Sequence, residues 1–503
     1  MAEKLEATGE KMATAIQNNV SQGLALVYAL AMLTWSAFNQ CNSNYWSYFL
    51  TEICGLESTA MGQIRSISAT GAWIMLVVTA IVIERVWLRH GAYRSWFAIA
   101  PAVAGICLLM TWVNPVGFLG VGGTMVWMSL FYTVGQFAVN FFQIASTSIV
   151  AAVSKTEHDA ALMSTRKSQG NMLVKVGFAI VSLPCILFFN SMIYGVPFDE
   201  GKSAGPLGFF LFALILVIAM IALYGLFYKK IEGMDPTEEI CEQRYQAKKR
   251  GEKLPPVGEK VNLIEMVSLW IRNVPALVGL VCEVARFVAQ TLVQGLAIYV
   301  FQYVYGDVVI SAIFMTIVNV VGLAATIIAD PISQKIGIRA TYMTGIIISL
   351  ASCVLLYFFG AMNMYLFTVL VSCIFFGMNF QNATMVGIQA NVVAYGEWKH
   401  GKACRAFIPS TFQWSPQIAN LVSGIVMGSG LASIGYVKGM DPDPTMAQGF
   451  VNILAIYPGI IFAIGLVLFI FLYPLNQTKM DEINRDLAAK HAAEEAAKAA
   501  EAE

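Results

Sequence analysis

Twelve apolar stretches follow one another along this chain, at residues 22–51, 59–84, 95–113, 119–153, 163–190, 207–229, 266–305, 308–336, 340–361, 364–396, 404–430 and 449–474. Each comes close to or exceeds the ~20 residues an α-helix needs to cross a bilayer. A soluble globule could not hide so much apolar surface. Of 503 residues, 57% are hydrophobic and 12% charged, against about 25% charged in soluble domains. The expected class is an all-α, multi-pass membrane protein with the lipid bilayer as its surroundings. One long polar stretch, 229–262, divides the spans six and six. Two equal sets of spans predict two six-helix bundles related by an axis along the membrane normal. The boundaries that follow are an N-terminal segment 1–22, bundles 23–228 and 263–474, a linker 229–262 and a tail 475–503.

The charges orient the chain. With the N-terminus placed in the cytoplasm, 25 of the 31 Lys and Arg fall in inward segments, and only Lys202 and Lys438 fall in outward loops. Lys and Arg concentrate in cytoplasmic loops, so both termini are expected on the cytoplasmic side of the cell's inner membrane. Residues 1–22 lack the charged-then-apolar order of a cleaved signal peptide. The tail, ending AAKHAAEEAAKAAEAE, reads as a solvated helix or a disordered end. A formal net charge of zero argues against a nucleic-acid partner. The nine cysteines are scattered, odd in number and mostly inside apolar runs, which reads as packing rather than disulfide or metal chemistry. No Walker A, GxSxG, HExxH or paired CxxC pattern occurs, so neither an enzyme nor a bound cofactor is expected. His90, His158, His400 and His491 all lie outside the apolar runs, which leaves none for a proton relay within the membrane.

Polar residues inside apolar spans are costly and need a reason. Arg65 and Arg272 lie near span ends, where a long side chain can reach the interface. Lys175 is deeper. Glu283 and Arg286 sit together near the middle of the seventh span, three apart and so on one helix face, which Gln290 and Gln294 extend. Two readings stand side by side: an ion pair that locks helices, or a substrate or coupling-ion site. Polar stripes recur at Ser36, Asn39, Gln40 and Ser43 of span 1, at Gln136, Asn140, Gln143 and Thr147 of span 4, and at Asn379, Asn382, Gln389 and Asn391 of span 10. A single stripe is usually helix–helix glue. Stripes on several spans suit a cavity that takes a hydroxyl-rich solute, because amides both donate and accept. Trp35, Trp46 and Trp414 supply flat apolar faces, either for such a solute or for packing.

Residues 390–420, ANVVAYGEWKHGKACRAFIPSTFQWSPQIAN, place a basic loop, Glu397–Arg405, between two apolar runs. After it, Ser410, Gln413, Trp414, Gln417 and Asn420 share the spacing of one helix face. Tyr395–Lys402 resembles the YGEWKTGK signature of the glycoside–pentoside–hexuronide:cation symporters, the melibiose permease family. Tyr48–Leu56, His158–Arg166 and Pro331–Arg339 resemble further motifs of that family, in order along the chain. The resemblance implies the major facilitator superfamily fold, with spans 1, 4, 7 and 10 around the cavity. It also marks departures. Positions where the family carries cation-site acids hold Ala72, Leu76 and, on or near the helix 4 acid, Phe142; a helix 1 acid implicated in sugar binding is replaced by Ser36, and a helix 11 lysine by Gln417. The usual sodium site is therefore not supported, and a proton is the expected coupling ion.

The expected function is secondary active transport of a small-molecule substrate, a sugar, glycoside or related solute, by alternating access. Glu283, Arg286 and Lys175 are the candidate coupling groups. Ser36, Asn39, Gln40, Asn140, Gln143, Arg286, Gln290, Asn382, Gln413, Trp414 and Gln417 are the candidate substrate contacts. Three alternatives remain open: a uniporter or exchanger, a carrier of an amphipathic aromatic, steroid or lipid-like compound, and a transport-dead membrane sensor.

Overall fold

The structure is a computed structural model. It describes residues 21–85, 88–91, 93–153, 157–194, 206–235, 238–250, 263–401, 407–440 and 443–502, with some side chains within these ranges left undescribed. The described chain forms sixteen α-helices: α1 (Gln22–Tyr48), α2 (Ser58–Arg85), α3 (Arg94–Met110), α4 (Val116–Val153), α5 (Glu157–Tyr194), α6 (Pro206–Lys230), α7 (Glu238–Lys249), α8 (Leu263–Arg272), α9 (Val274–Tyr303), α10 (Val309–Ile336), α11 (Ile338–Phe359), α12 (Met364–His400), α13 (Phe407–Phe412), α14 (Ser415–Ser433), α15 (Ala447–Leu472) and α16 (Gln477–Ala502). A π-turn, Phe49–Ile53, extends α1. Among the described residues nine helices are long and apolar enough to cross a membrane. The other three expected spans correspond to α2, to the 17-residue α3 and to the broken pair α13–α14.

Helix starts follow local chemistry. Ser21 Oγ accepts the Leu24 amide at 3.1 Å to begin α1, and Asn363 Oδ1 accepts the Leu366 amide at 2.8 Å to begin α12. Each side chain satisfies an amide that has no partner within the helix. Asn273 caps α9 through the Ala276 amide at 3.3 Å, with Pro275 in the first turn, and its Nδ2 donates to the Val392 carbonyl at 2.8 Å. Large apolar side chains such as Phe118 (67% exposed), Val126 (66%) and Phe471 (78%) face outward. In water they would be a liability, whereas in lipid they are the natural contact surface.

Three expectations need correction. The seventh span does not begin at 266: the cap at Asn273 separates the ten-residue α8 from α9, so Arg272 closes α8 rather than lying in a span. Glu397–His400 are not loop but the last turn of α12, which stops at Gly401, φ +72°, a conformation that favours glycine. The run 404–430 is not one helix: it breaks at Gln413–Trp414, just before Pro416, which has no amide hydrogen to continue the ladder. Lys402 and Arg405 lie outside the described residues.

The chain divides into two compact units, Met1–Leu56 with Thr70–Glu259, and Glu57–Ala69 with Lys260–Glu503. In the first, α1 packs on α5 and α6, and α3 on α4 and α6. In the second, α9 packs on α14 and α15, and α12 on α10 and α11. The first turns of α2 belong to this second unit. A Cβ on Gly62 would stand 2.7 Å from the Gly424 carbonyl and 2.9 Å from Gly428 Cα, so only glycine permits the approach to α14. Ser66 Oγ donates to the Leu421 carbonyl at 3.3 Å across this seam. Arg65, expected to reach the interface, is instead buried, 5% exposed.

Candidate functional site

In the first unit, α1 and α4 present their polar stripes at a level where aromatic rings bridge the two helices. Trp35 meets Phe142 edge-on at 5.8 Å, and Trp46 stacks on Tyr132 at 4.6 Å. Asn140 is buried, and its Nδ2 has no hydrogen-bond partner within the protein. Gln143 is half-buried, and its carbonyl accepts from Ser146 at 2.8 Å and Thr147 at 3.3 Å. Gln40 is buried, Ser36 half-buried and Asn39 exposed. Lys175 is half-buried on α5. Ala72 and Phe142 are fully buried apolar packing, so the positions that hold acids in the resembling family hold core here. Asn42 was not singled out by the stripe reading. It is buried, and neither of its amide atoms finds a partner. Its spacing, three residues after Asn39, was the available signal.

In the second unit, Glu283 and Arg286 meet. Arg286 Nε donates to both carboxylate oxygens at 3.1 Å, and Nη2 donates to Oε2 at 2.7 Å. Glu283 is 3% and Arg286 7% exposed, and the guanidinium lies 4.1 Å from the Phe287 ring centroid. A buried pair of this kind is tolerable because each charge is compensated and hydrogen-bonded. The pair sits nine residues from the start of α9, about 13 Å along its axis, which is a third of the way rather than midway. Gln290 and Asn382 are half-buried. Gln413, at the helix break, is exposed, and Trp414 meets Trp270 of α8 edge-on at 5.4 Å. Gln417 is half-buried, with Oε1 shielded and without a partner. Gln381, beside Asn382, was missed: it is fully buried with both amide atoms unpartnered.

At the ends of the helices, the tail departs from the expected solvated helix. Met480, Ile483 and Leu487 of α16 are buried, and Trp398 of the YGEWK stretch donates its indole N–H to Asp486 at 3.1 Å, with Lys479 4.7 Å over the ring. In the linker, α7 is clamped to the turn before α3. Asp235 accepts the Tyr93 and Arg94 amides at 3.3 and 3.2 Å, and buried Arg94 pairs with Glu238 at 3.1 Å and Glu232 at 3.4 Å. On the exposed side Arg89 pairs with Glu242 at 2.8 Å, and this bond holds the Glu242 carboxyl below its ordinary range.

Comparison with known proteins adds the family. The sequence model of the family described as MFS/sugar transport protein matches residues 27–477. An uncharacterized symporter of Bacillus subtilis, YjmB, is 24% identical, covering 88% of this chain and 90% of that protein. The isoprimeverose transporter of Lactiplantibacillus pentosus is 23% identical over 90% and 88%. Among solved structures, a D-xylose–proton symporter superposes with a TM-score of 0.61 at 15% identity, covering 91% of this chain and 98% of that one. A nucleoside transporter superposes at 0.58 and 16% identity. The structural likenesses establish the major facilitator fold, and the sequence match extends over nearly all the described helices. The chain belongs to the MFS/sugar transport protein family, and is a multi-pass secondary transporter rather than an enzyme.

Proposed function

We propose that this transporter carries a sugar, glycoside or related polyhydroxylated solute, coupled to protons rather than sodium, with Glu283 as the titrating group and Arg286 as its partner. The buried, bidentate Glu283–Arg286 pair carries the reading, because an intramembrane charge is retained at a cost that a working site explains. The names of the relatives support the substrate class: besides the isoprimeverose transporter they include a glucuronide carrier homolog of Escherichia coli, 20% identical over 87% of this chain. Asn140, Gln143, Ser36, Asn39 and Gln40 from one bundle, and Gln290, Asn382, Gln413, Trp414 and Gln417 from the other, are the proposed substrate contacts, with Lys175 a further coupling candidate. Both termini lie on the cytoplasmic side of the inner membrane in this reading, and the bundles 23–228 and 263–474 work by alternating access.

The geometry also favours a second reading, a uniporter or exchanger, because three hydrogen bonds already engage both Glu283 oxygens. Uptake into proteoliposomes separates the two. Labelled sugars and uronates are supplied with no gradient, a proton gradient or a sodium gradient, for the wild type and Glu283→Gln. Proton-driven accumulation that Glu283→Gln abolishes is the expected result. Flux that only equilibrates, unaffected by gradient and mutation, makes the pair structural and the protein a uniporter.

A further inference from the structure

Polar groups continue from the Glu283–Arg286 pair along one side of α15. Cys282 Sγ donates to the Gly465 carbonyl at 3.5 Å, which sets α15 beside α9 at the level of the pair. One and two turns further on the same face come Phe469 and Tyr473, about 12 Å of helix in all. Tyr342 of α11 stacks on Phe469 at 5.1 Å, and Phe469 stacks on Tyr473 at 4.4 Å. Tyr342 lies within electrostatic range of Glu283, Cys282, Arg286 and Tyr473, and Tyr473 lies within electrostatic range of Arg339 and close enough to Asn391 for a weak side-chain hydrogen bond.

Both tyrosines are 0% exposed, and neither hydroxyl has a hydrogen-bond partner of good geometry within the protein. The Nε of Arg339 is buried in the same condition, while its Nη2 donates to the Ile470 carbonyl at 3.5 Å. Buried hydroxyls are almost always satisfied, by protein or by ordered water. The Tyr342 hydroxyl, the Tyr473 hydroxyl with at most a weak bond to Asn391, and a guanidinium nitrogen follow one another between a buried carboxylate and the end of the bundle, and supply the polar partners that bound water requires.

We propose that Tyr342, Tyr473 and Arg339 hold a chain of bound water that conducts protons between Glu283 and the Tyr473 end of the second unit. The proposal rests on Glu283 being the coupling group. Each phenol oxygen accepts the excess proton from a hydronium on one side, leaving water, and releases its own proton to the water on the other side, which becomes the next hydronium, so the tyrosines end unchanged. At the far end hydronium gives its proton to the Glu283 carboxylate, leaving water and a neutral acid as the bonds from Arg286 are released. Among the described residues, the charged and titratable groups shown within electrostatic range of Glu283 are Arg286 and Cys282 on its own helix and Tyr342 from α11, with Tyr473 and Arg339 next along the chain.

The test needs no substrate. Purified full-length protein in liposomes is followed by infrared difference spectroscopy between about pH 4 and pH 9, and the carboxylic C=O band missing from Glu283→Gln is assigned to Glu283. On transfer to deuterated buffer, the downshift of that band times proton access. Tyr342→Phe/Tyr473→Phe keeps both stacked rings, and an unchanged thermal midpoint serves as the fold control. The expected result is a downshift slowed at least about tenfold in the double variant. A Glu283 band that exchanges at the wild-type rate in the double variant overturns the water chain and leaves the coupling role standing. The absence of any titrating Glu283 band overturns the coupling reading and the water chain with it.

Discussion

Arg286 spends three donor contacts on one carboxylate, and neither residue has bulk water to fall back on. Removing one partner strands the other as an unpaired buried charge, which costs about 3–5 kcal/mol, whereas removing both avoids that penalty. Arg286→Met should therefore lower the thermal midpoint in detergent far more than Glu283→Gln/Arg286→Met does. Equal losses from the single and double variants would mean that the pair is not energetically coupled. The pair was legible because i,i+3 spacing fixes a shared face whatever the tertiary fold. Tyr342 was not legible: it comes within electrostatic range of Glu283 from another helix, and nothing in its local sequence distinguishes it from a packing tyrosine. Arg65 was misread for a related reason. Its position near a span end allows an interfacial side chain, but the glycines at 62, 424 and 428 bring α14 over it.

Two elements at the helix ends show where local sequence rules compete with tertiary contacts. The tail is rich in Ala, Glu and Lys, which favours a solvated helix, yet Met480, Ile483 and Leu487 recur at helical spacing and all three are buried. The stripe was present in the sequence but short, and a general excess of polar residues masked it. Ile483→Asp should undock α16, because a fully buried side chain becomes a charge. Trypsin cleavage after Arg485 would then speed up at least about tenfold, and equal cleavage in variant and wild type would rule out the docking. The break at Gln413–Trp414 is a second case: side-chain spacing predicted one helix face, but Pro416 interrupts the backbone on which that spacing depends. The linker helix α7 makes a prediction with pH. Hydrogen bonding from Arg89 holds the Glu242 carboxyl below its ordinary value of 4.5. The stabilisation is therefore fully present above pH 4.5 and lost as the pH falls through the depressed value of the folded state. A fluorophore attached at Gln243→Cys should keep its anisotropy down to about pH 4.5 and lose part of it below. Arg89→Gln should remove that step, though the effect is small because the pair is exposed.

For the whole molecule, the all-helical, multi-pass character was readable because a membrane leaves few alternatives to spanning helices. The sharing of α2 was not readable: its turns at 58–69 group with the second unit and the remainder with the first, and no signal in the helix marks a boundary at Thr70. The orientation is the remaining whole-molecule expectation, and it follows from charge alone. Lys438 and Lys202 are the only basic residues assigned to the outside, and Lys438 is exposed beyond α14. Lys399 is exposed at the end of α12, among the basic residues assigned to the inside. Carrying basic loops across a bilayer is disfavoured during insertion, so the bias sets the topology. In intact cells, with Cys404 replaced by serine, Lys438→Cys should react with a membrane-impermeant maleimide, and Lys399→Cys should react only after permeabilisation. The eight described cysteines are all buried or half-buried, which keeps the background low. Labelling of Lys399→Cys but not Lys438→Cys from outside would invert the chain and place α7 and α16 on the outer face.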